Sequence, residues 1–222
     1  MDKNIKPIAY IKNGYSEKFG VPRQSGLAPS VKSEIIFVDE YKDENFIRDI
    51  EQYSHLWLIW GFNENGDEFS PTVRPPKLGG NKRVGVFATR SPFRPNGLGL
   101  SCVKLENVID GRGRKNLLVS GADLKNDTPI YDIKPYLPYV DSIPDAKGGF
   151  SDSHKDDKIE VLFDESIVSE DNLKDEITEI LSLDPKPQYQ GEERVYGLSY
   201  KNFNIKFRYE DGKIKVSEII GE

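Results

Sequence analysis

At 222 residues and a net charge of −6, the chain is long enough for a full domain with a small second one. Hydrophobic residues at 36% and aromatic residues at 11% exclude a disordered chain, because that much apolar side chain can fill a core. The longest apolar stretch, Leu56 to Phe62, excludes a membrane-spanning helix, which takes roughly 20 such residues, and a single cysteine, Cys102, excludes an internal disulfide and a cysteine-built zinc site. With no signal-peptide apolar region in Met-Asp-Lys-Asn-Ile-Lys, the expected setting is a reducing cytoplasm with no membrane partner, and Cys102 reads as a buried, inert thiol.

Taken in order, Ile5 to Ile11 predicts a first strand with Pro7 near its start, where a missing donor matters least. Residues 15 to 30 carry Gly20, Pro22, Gly26 and Pro29, which predicts a long ordered loop that presents Arg23 and Gln24 and is anchored by Phe19, Val21 and Leu27. Ser33 to Val38 predicts a strand, Asp43 to Gln52 a short helix with Phe46, Ile47 and Ile50 on one side, and His55 to Phe62, apolar on both faces, a central strand. Pro71 to Gly80 is an extended connector leading to Val84, Val86 and Phe87, expected as the end of a buried strand. Leu100 to Val108, Asn116 to Leu124 and Ile130 to Ile133 supply three further strands. Short strands at roughly 8 to 15 residue spacing without βα alternation predict a mainly β fold, a compact antiparallel barrel or sandwich.

Pro135 to Gly149 leaves that barrel as a proline-rich arm, and the polar run from Ser151 to Asp157 marks a boundary. The expected division is a barrel domain over residues 1–150 and a smaller α+β domain over 151–222. In the latter, Lys158 to Phe163 predicts a strand and Glu170 to Leu183 an amphipathic helix, with Ser169 as N-cap and Leu173, Ile177, Ile180 and Leu181 on its apolar face. The alternation of Phe203, Ile205, Phe207 and Tyr209, then Asp211-Gly212, then Ile214 and Val216 predicts a closing hairpin.

Between Phe69 and Leu105 there is no acid, yet Arg74, Lys77, Lys82, Arg83, Arg90, Arg94 and Lys104 all fall there. In an acidic chain such a segment is either a solvated basic face or a site for an anionic partner. Familiar catalytic signatures are missing: His55 and His154 are the only histidines, too few for a three-histidine metal site, and Gly97-Leu-Gly99 lacks the rest of a dinucleotide fingerprint. His55 reads as a structural histidine rather than a base. Three segments have the character of a site and each ends a predicted strand: Pro22-Arg23-Gln24, Arg90 to Asn96, and Ala122 to Tyr136 with Asp123, Asp127 and Thr128-Pro129.

These residues carry a resemblance. Phe19-Gly-Val-Pro-Arg-Gln24, Tyr53-Ser-His-Leu-Trp57, Pro71-Thr-Val-Arg-Pro-Pro76, Gly85-Val-Phe-Ala-Thr-Arg-Ser-Pro-Phe-Arg-Pro-Asn96 and Asp132-Ile-Lys-Pro-Tyr136 resemble the TrmO (YaeB/TsaA-like) family of S-adenosylmethionine-dependent tRNA methyltransferases, over about residues 5 to 150. Asp184-Pro-Lys-Pro-Gln-Tyr189 and the closing hairpin are similar to the family's smaller C-terminal domain. The resemblance implies a small antiparallel β-barrel (TsaA-like), a homodimer, and N6-methylation of the threonylcarbamoyl-modified adenosine next to the tRNA anticodon. It implies cofactor contacts from Pro22, Arg23, Gln24, Arg90, Leu100, Asp123, Leu124, Lys125 and Asn126, and from the pair Asn63-Glu64, where the family often begins with His. Where the family usually has Gly, this chain has Asp127, which implies a turn with positive φ. Methyl transfer from a sulfonium depends chiefly on positioning and asks for one proton acceptor, for which Asp123 and Asp127 are both candidates. Arg74, Arg83 and Arg94 are then the expected tRNA phosphate contacts. The competing reading is a non-catalytic dimeric module that binds S-adenosylmethionine, a nucleotide or RNA.

Overall fold

The computed structural model describes residues 4–64, 66, 68–79, 81–154, 157–165, 167, 171–186 and 194–221. In chain order the first half contains β1 (Ala9–Lys12), β2 (Lys32–Phe37), β3 (His55–Gly61), β4 (Thr72–Val73), β5 (Val84–Gly85), β6 (Leu98–Gly111), β7 (Arg114–Ser120) and β8 (Pro129–Pro135). Six of these close into a barrel in the order β1-β2-β7-β6-β3-β8, with β1 returning to β8 through the pairs Ala9–Ile130 and Tyr10–Pro129. Period-two alternation sends Ile35, Phe37, Leu56, Leu58, Trp60, Val103, Leu117 and Val119 into one core, where each large apolar side chain contributes about 1.5–3 kcal/mol. β3 pairs with β6 on one side and β8 on the other, as expected of a central strand. Its outer face is covered too, since Trp57 packs against Tyr136 at 5.7 Å between ring centroids.

Two expectations are corrected here. Past a 3-10 turn at Asp39–Tyr41, the helix expected over 43–52 is two more such turns, at Glu44–Ile47 and Ile50–Gln52. Asp49 adopts φ 66° between the last two, and the Asp43 carboxylate takes the backbone N–H of Asn45, so local side-chain bonding displaces the helical ladder. Ile47 and Ile50 still reach the barrel core, while Phe46 points to solvent. The buried strand end expected at 84–87 is a two-residue ladder against Thr72–Val73, followed by a 3-10 turn at Val86–Ala88 in which Val86 is buried and Phe87 is 81% exposed.

After the short α1 (Pro138–Asp141), the second half contains β9 (Val161–Phe163), α2 (Asp171–Ser182), β10 (Tyr196–Tyr200), β11 (Phe203–Glu210) and β12 (Lys213–Gly221). The sheet runs β10-β11-β12-β9, with β9 parallel to β12. Asp211 and Gly212 both take positive φ, 51° and 73°, the conformation a two-residue hairpin turn requires. α2 buries Leu173, Ile177, Ile180 and Leu181 against this sheet, as its spacing predicts; the expected cap, Ser169, lies outside the described residues. β10, where Tyr196, Leu198 and Tyr200 alternate inward, was not among the predicted strands.

The loop between β1 and β2 belongs to both halves. Tyr15, Ala28 and Val31 are buried in the same hydrophobic cluster as Ile177, Leu198 and Phe207, and Tyr15 forms an isolated antiparallel bridge with Tyr200. Lys201 N donates to Gly14 O at 2.8 Å, and Ser199 N donates to a Glu17 carboxylate oxygen at 3.0 Å. Further along, Ser30 N and Ser30 Oγ each donate to one oxygen of Glu179 at 2.8 Å. Between these clamps Gly20, at φ 87°, lies so near Leu198 that a Cβ would stand 2.4 Å from its Cδ1. Replacing Glu179 by Ala strands both Ser30 donors and is expected to lower stability by about 1–3 kcal/mol. Urea unfolding would read that loss, and limited trypsin digestion would show new cleavage at Lys18 or Arg23 as the loop loosens.

Candidate active site

The clamped loop, the end of β3, the start of β6 and the turn after β7 enclose a cavity of ≈ 520 Å³, within the usual range of about 300–1,000 Å³ for small-molecule sites. Its inner wall is the indole of Trp60, which lies directly on the backbone of Gly99: a Cβ there would stand 2.3 Å from Trp60 Cε2. Trp60 Nε1 donates to Ser101 Oγ at 2.9 Å. An indole N–H only donates, so Ser101 accepts on that side and its own hydroxyl proton turns to Asp123 Oδ1, 2.5 Å away. The polarity of this chain is therefore fixed, and it ends on a carboxylate facing the cavity. Desolvation pushes the Asp123 carboxyl above the usual Asp range, against the opposing pull of the Ser101 hydroxyl, backbone N–H groups and the Arg90 charge.

On the loop side, Arg90 Nη1 donates to Gln24 Oε1 and Gln24 Nε2 to the carbonyl of Arg23, while Arg23 Nη2 reaches the carbonyl of Asp184 at 3.3 Å. Arg90, Gln24 and Arg23 are thus linked in series, and through Arg23 to the C-terminal half. Across the mouth, Lys125 Nζ donates to Glu64, and Lys18 Nζ stands 3.5 Å from its other oxygen. The bond from Lys125 is the main cause holding Glu64 below its usual range. The cavity therefore presents fixed cations at Arg23 and Arg90, anions at Glu64 and Asp123, and apolar surface from Trp60, Phe62 and Leu100.

Of the residues expected at the cofactor or as proton acceptor, Pro22, Arg23, Gln24, Asn63, Glu64, Arg90, Leu100, Asp123 and Lys125 line this one cavity. Three do not. Leu124 is fully buried in the barrel core, Asn126 accepts from Asn13 N at 3.0 Å, and Asp127 is exposed and paired with Lys12 at 2.5 Å. Asp127 does take the positive φ implied for it, 66°. Arg74 and Arg83 are exposed, the latter donating to Thr72 Oγ1 at 2.7 Å. Arg94 is turned inward instead: its Nε donates to Ser91 O at 2.8 Å and its Nη2 to Thr89 O and to Val86 O. It brackets the loop, because three carbonyls converging on one guanidinium need a donor fork. His55 pairs through Nδ1 with Ser54 Oγ at 2.9 Å and packs on Tyr136, away from the cavity. Cys102 is half-buried, and burial, with the Asp141 charge behind it, pushes its thiol up. Trp60, Gly99 and Ser101 were missed. Trp60 and Ser101 reside in strands that read as core, and the signal present was a glycine whose strand places it directly opposite an inward-facing tryptophan.

A closed barrel of short strands, whose rim holds a nucleoside-sized cavity with charged and aromatic walls and whose longest loop is clasped by an α+β unit, defines a barrel-type small-molecule-binding protein. Residues 10–142 match the family model described as tRNA-methyltransferase O N-terminal domain, and residues 157–222 match the TrmO C-terminal domain. The chain belongs to the TrmO family. It is 38% identical over 224 residues to a tRNA (adenine(37)-N6)-methyltransferase of Escherichia coli (strain K12), covering 96% of this chain and 95% of that protein. It is 36% identical over 234 residues to a putative S-adenosylmethionine-dependent methyltransferase, RcsF, of Pseudomonas aeruginosa, covering 100% and 99%. The crystal structure of TrmO from Pseudomonas aeruginosa superposes with a TM-score of 0.83 at 31% identity, over 100% of this chain and 99% of that one.

A carboxylate whose folded-state proton affinity is raised destabilises the fold once ionised, since the native state then binds more protons than the unfolded one between the two titration points. Wild-type stability is therefore expected to fall relative to Asp123→Asn as pH rises from the ordinary Asp value of about 3.9 into the neutral range. Below that value the difference should stop changing with pH. Thermal unfolding of both proteins from pH 3 upward reads it; a wild type that gains on the variant with rising pH would contradict the assignment.

Proposed function

We propose that this protein methylates N6 of the adenosine at tRNA position 37, in its threonylcarbamoyl-modified form, using S-adenosylmethionine. The observation that carries this reading is the cavity into which nine of the side chains expected at the site converge, in a chain whose relatives are named tRNA (adenine(37)-N6)-methyltransferases; the threonylcarbamoyl-modified form is what the family resemblance adds. The donor set fits such a cofactor: an apolar floor at Trp60 suits an adenine ring, Glu64 offers carboxylate oxygens to ribose hydroxyls or an amino group, and Arg90 and Arg23 offer cations to a carboxylate. When bound, S-adenosylmethionine supplies an electrophilic methyl group on a sulfonium. The chain's own residues then hold and exclude: the clamped loop fixes Arg23 and Gln24, and Arg94 locks the turn that presents Arg90. Asp123 is the acceptor for the proton released from the amine nitrogen, since it faces the cavity while Asp127 is paired outside it. The Trp60–Ser101 chain holds the Asp123 carboxylate in place for that task. Arg74 and Arg83 are read as phosphate contacts, residues 1–150 as the transferase domain and 151–222 as its support, acting in the cytoplasm.

Incubation with methyl-labelled S-adenosylmethionine and tRNA from a strain lacking the modification is expected to place label on the modified adenosine. Calorimetry should show cofactor affinity reduced about tenfold or more in Arg90→Ala and Gln24→Ala, as for loss of a charged hydrogen bond; undiminished affinity in both would remove the assignment. The arm after β8 is read as part of a two-fold dimer interface. Its base is engaged within the chain, with Tyr136 on Trp57 and Asp141 accepting from Trp57 Nε1 at 3.0 Å, but Tyr139, Val140 and Ile143 are 83%, 55% and 68% exposed, an apolar strip suited to anchoring a partner copy. Light scattering is expected to give a dimer for the wild type and a monomer for Tyr139→Ser, Ile143→Asp; an unchanged mass in that variant would place the interface elsewhere.

A further inference from the structure

Beside the first cavity lies a second, of ≈ 390 Å³, whose walls include Phe62, Asn63, Phe69, Asn96 and Tyr131. The two cavities share Gly61, Phe62, Asn63 and Arg94, so they are separated by one stretch of backbone after β3 and one bracketing arginine. The second is built like the first. Tyr131, on β8, packs so closely on Gly61 that a Cβ there would stand 2.6 Å from Tyr131 Cε2, much as Trp60 lies on Gly99. Phe69 is 65% exposed, yet its chain is pinned, with Ser70 N donating to Phe93 O at 3.2 Å and Ser70 Oγ to Thr72 O at 2.8 Å. Asn96 sits at φ 67° in a turn tied to β3 by Phe62 N donating to Gly97 O at 2.8 Å. Rings on rigid supports with two side-chain amides between them form a wall suited to a flat heteroaromatic edge and face.

We propose that this second cavity receives the acceptor base of the RNA, an unpaired purine swung out of its stack, held by Tyr131 and Phe69 and read on its edge by the Asn63 and Asn96 amides. The proposal rests on the transferase reading above. Transfer needs the accepting nitrogen about 3–3.5 Å from the methyl carbon and in line with it, so the base must enter from space contiguous with the donor cavity. The second cavity has that contact through its shared wall. Aromatic faces favour any extruded base, and amides select among edges. The segment without acids from Phe69 to Leu105 borders the same opening, which lets the flanking phosphates approach.

The test uses the intact protein and a tRNA anticodon stem–loop carrying the modified adenosine. Phe69→Ala and Tyr131→Ala are each expected to weaken RNA binding about tenfold, as for loss of a stacking partner, while calorimetric affinity for S-adenosylmethionine stays at the wild-type value and Tyr131→Phe restores RNA affinity. The dependence of binding on salt should keep its slope in these variants, because stacking releases no counterions, whereas Arg74→Ala and Arg83→Ala lower the slope by about one unit or less. Phe69, being exposed, tests the idea even if loss of Tyr131 perturbs the barrel. Unchanged RNA affinity in Phe69→Ala together with unchanged or cofactor-linked loss in Tyr131→Ala would overturn the proposal. Absence of any methyl transfer by the wild type would instead count against the function, and RNA affinities of the variants would still decide the cavity.

Discussion

Everything at the site depends on how one long loop is held. Residues 13–31 connect two neighbouring barrel strands, a connection that a short turn could make, and the extra length is stabilised from outside the barrel. Tyr15, Ala28 and Val31 are buried in the C-terminal cluster, and the Glu179 carboxylate bonds both donors of Ser30. Fixing a loop of that length is opposed by roughly 1–2 kcal/mol of backbone entropy per residue, which the apolar anchors and the paired hydrogen bonds together offset. The barrel contributes one further point, Gly26 N donating to Gly121 O at 2.7 Å. Arg23 and Gln24 are consequently presented by a loop anchored in the C-terminal core and hydrogen-bonded to the barrel.

The cavity walls follow a second constraint, close approach of rings to backbone. Gly99 and Gly61 are not turn glycines. They sit within the barrel ladder, opposite Trp60 and Leu98 respectively, and their missing side chains leave room for Trp60 and Tyr131 to lie flat. Such walls move little, since a ring pressed on main chain has few rotamers open to it. Electrostatics adds the opposite tendency at Asp123, where the fold keeps a poorly solvated carboxylate that an uncharged residue would replace without loss of stability. Sites that hold a reactive group commonly carry this conflict between function and stability.

Much of this was legible in the sequence, for reasons that can be named. The central strand was visible because β3 is covered on both faces, and the closing hairpin because Asp211-Gly212 has the turn conformation its residues favour. The site loops were visible as proline and glycine punctuation, and the match to family motifs gave their partners. What stayed hidden depends on tertiary contact. The 3-10 turns in place of a helix start from the Asp43 carboxylate competing for the Asn45 backbone donor and are broken by the left-handed backbone of Asp49. Arg94 looked like a surface cation because its sequence neighbours are polar, yet the carbonyls it binds converge only once the loop is folded. Trp60 and Ser101 read as core because alternation cannot distinguish a residue facing the barrel interior from one at its open end. The second-core membership of Tyr15 has no local signal at all, as its bridge partner is Tyr200.

That pairing has a consequence for the order in which the protein is assembled. The barrel strands are all encoded before residue 136, whereas the residues that clasp the loop, Glu179, Leu198, Ser199 and Tyr200 among them, emerge from the ribosome much later. Chains fold from the N-terminal side during synthesis, so the barrel can close while its loop between β1 and β2 is held only by its bonds to the barrel itself. A nascent chain in that condition has its floor and its carboxylate in place but Arg23 and Gln24 unseated. Completion of the site is thus postponed to the last stretch of translation, and a chain broken off early is a closed barrel with an unformed mouth.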